Sequence, residues 1–275
     1  MAIIMDGIAL RNRILNELQA RIKEKKLQPK LVAVLVGDDA ASKVYVRNKE
    51  KYAAVAGIKT DIINMPFDTD TETLIDQIKK LNDDKSVTAI LVQLPLPKHI
   101  DTNAVLNAVD VSKDVDGFTD ENLGHLFGSG KNFVVPCTPR GILALLDEYK
   151  INVAGKKAVV IGRSNIVGKP IAQMLMMRNA TVTICHSHTE NIAEITRDAD
   201  IIIAATGKIK LTGDMIKSSA IVIDVGMHRD EKGKLTGDCD FESCASVAGY
   251  ITPTPGGTGP MTIAGLMLNT VDLAE

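Results

Sequence analysis

The 275-residue sequence has little net charge: 32 lysines and arginines stand against 34 aspartates and glutamates, for a formal charge of -2. No global basic field is available to draw a nucleic-acid backbone, so nucleic acid is not expected as a partner. Long apolar runs are missing as well. Nothing approaches the ~18 apolar residues of a membrane-spanning helix. The opening Met1-Ala2-Ile3-Ile4-Met5-Asp6 has no basic stretch ahead of its very short apolar run. No signal peptide and no membrane partner are expected, and the chain is expected to stay in the cytoplasm. The four cysteines, Cys137, Cys185, Cys239 and Cys244, form no C-x-x-C. In a cytosolic chain of this size they read as free thiols. Cys185-His186-Ser187-His188 has no second cluster at zinc spacing, so no metal site is expected. Internal repeats and low-complexity segments are also lacking.

What is present is core material: 45% of the residues are hydrophobic, enough for one large or two ordinary domains. Short β-rich runs alternate with amphipathic helices. A helix is predicted over about Gly7 to Lys25, then a strand at Leu31–Val36 and a helix over Ser42–Ala56. A strand around Ile58–Met65, a helix over Thr71–Leu81 and the apolar strand Ala89–Val92 follow. Continuous apolar strands separated by helices imply parallel pairing with helices on both faces. A helix from Thr138 to Lys150 has Pro139 suited to its first position. A second series then places strands at Ala158–Ile161, Ala180–Ile184, Asp200–Ala205 and Ala220–Val225, with a further strand at Gly249–Ile251. Two α/β units, joined near Asp116 to Pro139, are the economical reading.

The stretch from Ile251 to Thr262 packs three prolines and three glycines into twelve residues, which suits neither a helix nor a central strand. Such clusters chiefly mark turns. The sharper reading is a rigid wall, poor in side chains, that lets a flat ligand approach the backbone. A last helix is predicted over Thr262–Leu273.

Two regions call for such a ligand. In the second half, Val159-Val160-Ile161-Gly162-Arg163-Ser164-Asn165-Ile166-Val167-Gly168 reads as a strand, a turn and a helix start, where free N–H groups meet a phosphate. The spacing is not G-x-G-x-x-G. The acid that accepts a ribose 2′-hydroxyl at the end of the next strand is lacking too, since Cys185-His186-Ser187-His188-Thr189 contains none before Glu190. Arg163 and Ser187 suit a 2′-phosphate instead, which a carboxylate there would repel. The expected dinucleotide is NADP. His186 and His188 read as exposed loop residues.

In the first half, Tyr45 and Lys49 are spaced i, i+4 and share a helix face, a ring and an amine fit for a flat heteroaromatic substrate. Gln93 sits at a carboxyl strand end, where open α/β sheets place ligands. Lys113-Asp114-Val115-Asp116-Gly117-Phe118 resembles a calcium loop, but aligned with Gly117 at the sixth position it puts Leu123 where a bidentate glutamate is required. A carboxylate beside that turn can take two hydrogen bonds from an aminopyrimidine edge.

Six motifs occur in order: Tyr45-Val46-Arg47-Asn48-Lys49, Val92-Gln93-Leu94-Pro95-Leu96-Pro97, Asp114-Val115-Asp116-Gly117-Phe118, Pro136-Cys137-Thr138-Pro139-Arg140-Gly141, Gly162 to Gly168, and Pro255 to Thr262. In these, and over essentially its whole length, the chain resembles the bifunctional methylenetetrahydrofolate dehydrogenase/methenyltetrahydrofolate cyclohydrolase family of one-carbon metabolism. The resemblance implies two α/β domains flanking a cleft, a cytoplasmic homodimer, tetrahydrofolate derivatives as substrates and NADP as cofactor. It implies a catalytic domain of residues 1–119 plus 262–275 and a Rossmann-like NADP domain of 120–261. It marks Lys49 as the catalytic lysine, Tyr45 as a ring packing on folate, Gln93 as the polar helper and Asp116 as the pterin anchor. Leu94, Pro255, Gly256, Gly257, Gly259 and Pro260 would complete the folate site. Gly162, Arg163, Ser164, Val167, Gly168, Ser187 and Met227 would hold the dinucleotide. The family's last loop usually reads P-V-P-G-G-V-G-P, where this chain has Thr254 and Thr258 at the valine positions. Cys239 replaces a valine and Ala40 a frequent proline; none of these changes removes a reacting group.

Two rivals share parts of this pattern. Short-chain dehydrogenases also use Tyr-x-x-x-Lys, but their nucleotide turn precedes it, whereas Gly162 here follows Lys49 by more than a hundred residues. A folate- or nucleotide-binding regulator without turnover would not need Lys49, Gln93 and Asp116 together.

Overall fold

A computed structural model describes residues 2–128, 133–207, 210–229 and 233–275. The chain opens with strand β1 (Ile3–Ile4) and helix α1 (Gly7–Lys25). Strand β2 (Lys30–Val36) follows and is buried throughout except at Lys30, as its unbroken apolar run requires. Helix α2 (Ala40–Ala56) starts two residues earlier than its apolar pattern suggests. The Asp39 carboxylate accepts the Ser42 N–H at 2.7 Å and caps it, while Gly57 closes it in the left-handed conformation at φ 84°. Strand β3 (Lys59–Met65), helix α3 (Thr71–Asp83, capped by Asp70) and the fully buried strand β4 (Ala89–Val92) come next. Helices α4 (Thr102–Asn107) and α5 (Asp120–Phe127) then lead to α6 (Cys137–Glu148).

The second series contains β5 (Lys157–Ile161), α7 (Gly168–Met177), β6 (Thr181–Cys185), α8 (Ile192–Arg197), β7 (Ile201–Ala204) and β8 (Ile221–Asp224). It continues with the short strands β9 (His228–Arg229) and β10 (Leu235–Thr236), α9 (Phe241–Ala245), β11 (Tyr250–Ile251) and α10 (Thr258–Asp272). The last helix begins at Thr258 rather than Thr262. Proline is tolerated in a helix's first turn, so Pro260 does not delay it. Thr258 anchors the start by donating its hydroxyl to the Asp224 carbonyl at 2.8 Å.

The chain divides into two compact units: 1–11 with 138–262, and 12–137 with 263–275. The second of these holds a parallel sheet in the order β3-β2-β4. Its first strand is central, the next joins one side and the following one the other. Helix α3 packs Leu74, Ile78 and Leu81 into a core with Val32, Val34, Ile90 and Val92. The other unit holds a six-stranded parallel sheet in the order β1-β11-β8-β7-β5-β6. Again β6 lies on one side of β5 and β7 on the other. The strand order therefore reverses beside β2 in one sheet and beside β5 in the other, and open α/β sheets bind ligands at the carboxyl ends of the strands at that point. All four cysteines are buried free thiols. Among the described residues no helix is long and apolar enough to cross a membrane.

Candidate active site

In the β3-β2-β4 sheet, the strand ends at the reversal are Val36 of β2 and Val92 of β4. Gln93 leaves β4 with its N–H still bonded to the Val34 carbonyl at 2.9 Å, so the strand fixes its side chain direction. The side chain is buried, at 8% exposure. Its Oε1 accepts from Lys49 Nζ at 3.0 Å, and its Nε2 donates to the Leu94 carbonyl. Lys49 is half-buried on α2, one turn beyond Tyr45, whose ring is 41% exposed. The structure thus joins Lys49 to Gln93 directly, with Tyr45 on the same helix.

Asp114 and Asp116 flank Val115 on the loop before α5. The Asp114 carboxylate is consumed locally: it accepts from the Gly117 and Thr119 N–H groups at 3.0 and 2.9 Å and from Asn122 Nδ2 at 2.8 Å. Asp116 makes no such ring of bonds; its Oδ1 faces the Cys137 thiol at 3.4 Å. Burial pushes the Asp116 carboxyl above its ordinary value, against the pull of the Lys49 ammonium. Asp116 thus feels the charge of Lys49. A residue without signal in the sequence holds this loop. Asn269 of α10, 1% exposed, donates from Nδ2 to the carbonyls of Val115 and Val135 at 2.7 and 2.9 Å. It sits in an apolar helical pattern, and only the fold shows what it reaches.

The Pro/Gly loop belongs to the unit with the six-stranded sheet. It is locked from within, the Gly257 N–H bonding the Pro253 carbonyl at 2.8 Å. A Cβ on Gly7 would collide with the Gly257 carbonyl, so the loop meets the start of α1 backbone to backbone. Pro255 is exposed, Gly256, Gly259 and Pro260 are half-buried, and Gly257 is buried. Among the described residues, chain neighbours aside, no side chain lies within 4 Å of the position a Cβ would take on Gly259. The loop is thus open at Gly259 and packed against protein at Gly257.

At the reversal of the six-stranded sheet, Gly162 turns away from β5 with φ 131°, and a Cβ there would strike the carbonyl of Ala205, just beyond β7. A Cβ on Gly168 would strike the Gly162 carbonyl, so α7 starts directly on the turn. Ser164 Oγ accepts the N–H groups of Val167 and Gly168 at 3.2 and 3.3 Å. Arg163 and Ser164 are exposed on the turn, as is Ser187 just past β6. Met227 is exposed beyond β8. A tight turn and an exposed guanidinium fit a phosphorylated nucleotide. His186 is half-buried and organises its own loop, its N–H bonded to Thr189 Oγ1 at 2.9 Å and its Nδ1 accepting the His188 N–H at 3.2 Å.

One unit with a parallel sheet and a glycine turn at its reversal point, and a second α/β unit bearing a lysine–glutamine pair, are the parts of a dinucleotide-binding enzyme. Comparison with known proteins narrows that class. Residues 5–116 match the catalytic-domain model and residues 136–275 the NAD(P)-binding-domain model of tetrahydrofolate dehydrogenase/cyclohydrolase, and the chain belongs to that family. It is 52% identical to a Streptococcus pneumoniae bifunctional protein FolD over 279 aligned residues, covering 100% of this chain and 98% of that one. The crystal structure of the bifunctional FolD enzyme from Campylobacter jejuni matches with a TM-score of 0.97 at 45% identity, over 100% of this chain and 99% of that one. A Trypanosoma brucei dehydrogenase-cyclohydrolase, solved with NADP cofactor and inhibitor, matches at 0.92 with 36% identity, covering 99% and 97%.

Proposed function

We infer that this chain is the bifunctional enzyme its family describes. It oxidises methylenetetrahydrofolate to methenyltetrahydrofolate with NADP and hydrolyses the product to 10-formyltetrahydrofolate. The observation that carries the reading is the Lys49–Gln93 hydrogen bond at the carboxyl end of β4.

The roles follow from chemistry. Tyr45 offers its exposed ring to the flat pterin, and Asp116 accepts two hydrogen bonds from the aminopyrimidine edge. Leu94 and the Pro255–Pro260 segment complete the folate contacts. Gln93 holds the Lys49 amine in one orientation, which leaves its protons aimed at one place. Lys49 takes a proton from the attacking water and returns one to the departing ring nitrogen, a transfer that general acid–base catalysis accelerates by about 10²–10⁴-fold. Bound NADP supplies the hydride acceptor for the oxidation. Gly162, Ser164, Val167 and Gly168 would cradle its phosphates, Met227 would pack against it, and Arg163 with Ser187 would take the 2′-phosphate. We propose the division of labour that the two family models suggest, folate in the N-terminal part and dinucleotide in the C-terminal part. We also propose, on the family resemblance, that the enzyme works as a homodimer in the cytoplasm.

The test is turnover of methylenetetrahydrofolate by the purified chain with NADP and with NAD at matched concentrations. Loss of a charge-assisted phosphate contact costs about 1.5–3 kcal/mol, so NADP is expected to bind at least about tenfold better. Equal or faster turnover with NAD would contradict the assignment of Arg163 and Ser187.

A further inference from the structure

Two buried polar atoms have no hydrogen-bond partner among the described residues: Nδ1 of His228 and Oδ1 of Asp238. They face each other at 3.8 Å, an ion-pair distance. The Asp238 side chain is wholly buried while the His228 ring is 39% exposed, so one imidazole edge reaches solvent and Nδ1 is turned inward. A buried carboxylate oxygen without a donor is costly, and folded proteins leave few of them. The other oxygen, Oδ2, is fully employed. It accepts the N–H groups of Thr206 and Gly207 at 2.6 and 3.0 Å. Those residues leave the end of β7. Ala205, just before them, carries the carbonyl that a Cβ on Gly162 would strike. Asp238 therefore fixes the backbone on the β7 side of the reversal, and the Gly162 turn lies on the β5 side. The other charged group packed on Asp238 is Asp224 at the end of β8, whose Oδ1 accepts the Asp238 N–H at 2.9 Å. Asp224 commits its carboxylate to the N–H groups of Gly226, Asp238 and Cys239. Two carboxylates thus lie side by side, and the His228 ring faces that of Asp238.

We propose that His228 and Asp238 form a positioning pair for the dinucleotide. The imidazole orients the carboxylate, and the carboxylate holds Thr206-Gly207 against the Gly162 turn. Neither residue touches the reacting atoms, and the proposal rests on reading that turn as the NADP site. Hydrolysis of methenyltetrahydrofolate needs no dinucleotide and serves as the internal control. In the full-length protein His228→Leu should raise the KM for NADP about fivefold or more. The kcat at saturating NADP and the cyclohydrolase rate should stay near those of the unmodified enzyme. His228→Gln, which restores a donor at similar reach, should recover part of that KM. Asp238→Asn should change KM in the same direction. An unchanged KM in His228→Leu, or a parallel fall in the cyclohydrolase rate, would overturn the proposal. If the unmodified chain shows cyclohydrolase activity but no turnover with NADP, the dinucleotide reading itself fails and the pair's role falls with it.

Discussion

Asp114 and Asp116 stand two positions apart in one acidic turn, and their surroundings give them opposite work. Three donors satisfy Asp114, which makes it a brace for the loop. Asp116 is half-buried, and desolvation pushes its carboxyl upward. A raised carboxyl pKa means that, above the ordinary carboxylate range, the folded chain holds a proton the unfolded chain has lost. Stability is then lost as pH rises through that window. Asp116→Asn should remove this cost, so its melting temperature should gain on the unmodified protein as pH rises toward neutrality, and the gap should close in acid. The same variant should weaken tetrahydrofolate binding and leave NADP affinity unchanged, because an amide must turn one donor toward another donor. Calorimetry at several pH values, with separate titrations of the two ligands, checks both. Equal weakening of both ligands would mean a general defect of folding. The sequence singled out Asp116 through its family pattern. It was silent on Asp114 as a brace and on Asn269, because both depend on partners brought together by the fold.

The regular elements were mostly legible. Strands β4 and β7 are unbroken apolar runs, β2, β5 and β8 are apolar but for one charged end residue each, and α1 and α3 carry their own periodicity, so local pattern and tertiary burial agree. Short pieces escaped: β1, β9, β10, α4, α5, α8 and α9 are too brief for periodicity to register. The start of α10 was placed late because glycine and proline read as loop, whereas the Thr258–Asp224 bond holds the turn helical. Helix α7 offers the sharpest test at this scale. Its first residue, Gly168, lies against the Gly162 carbonyl, so Gly168→Ala must push the helix off the turn. Overpacking of this kind costs about 1–3 kcal/mol. NADP affinity should fall about tenfold while methenyltetrahydrofolate hydrolysis persists, as paired binding and hydrolysis assays would show. Loss of both activities together would mean that the turn matters to folding rather than to the dinucleotide.

Across the whole molecule, the placement of residues 1–11 was the least legible feature. Residues 1–11 join the six-stranded sheet through Ile3 beside Tyr250 and Ile4 beside Ile251, pairings that no local pattern announces. Residues 263–275 return to the other unit, where Asn269 braces the Asp116 loop and Arg21 pairs with Asp272 and Glu275 at 2.8 and 2.6 Å. The central claim is that one chain performs both reactions, with Lys49, held by Gln93, moving the protons of the hydrolysis. Hydride transfer can draw much of its rate from positioning. Hydrolysis must also take a proton from water and deliver one to a departing nitrogen, which an amine can do and a thioether cannot. The direct measurement is the decay of methenyltetrahydrofolate, above its uncatalysed rate, with the unmodified protein and with Lys49→Met. The account predicts decay near the uncatalysed rate for the variant while folate binding persists; decay close to the unmodified rate would contradict it.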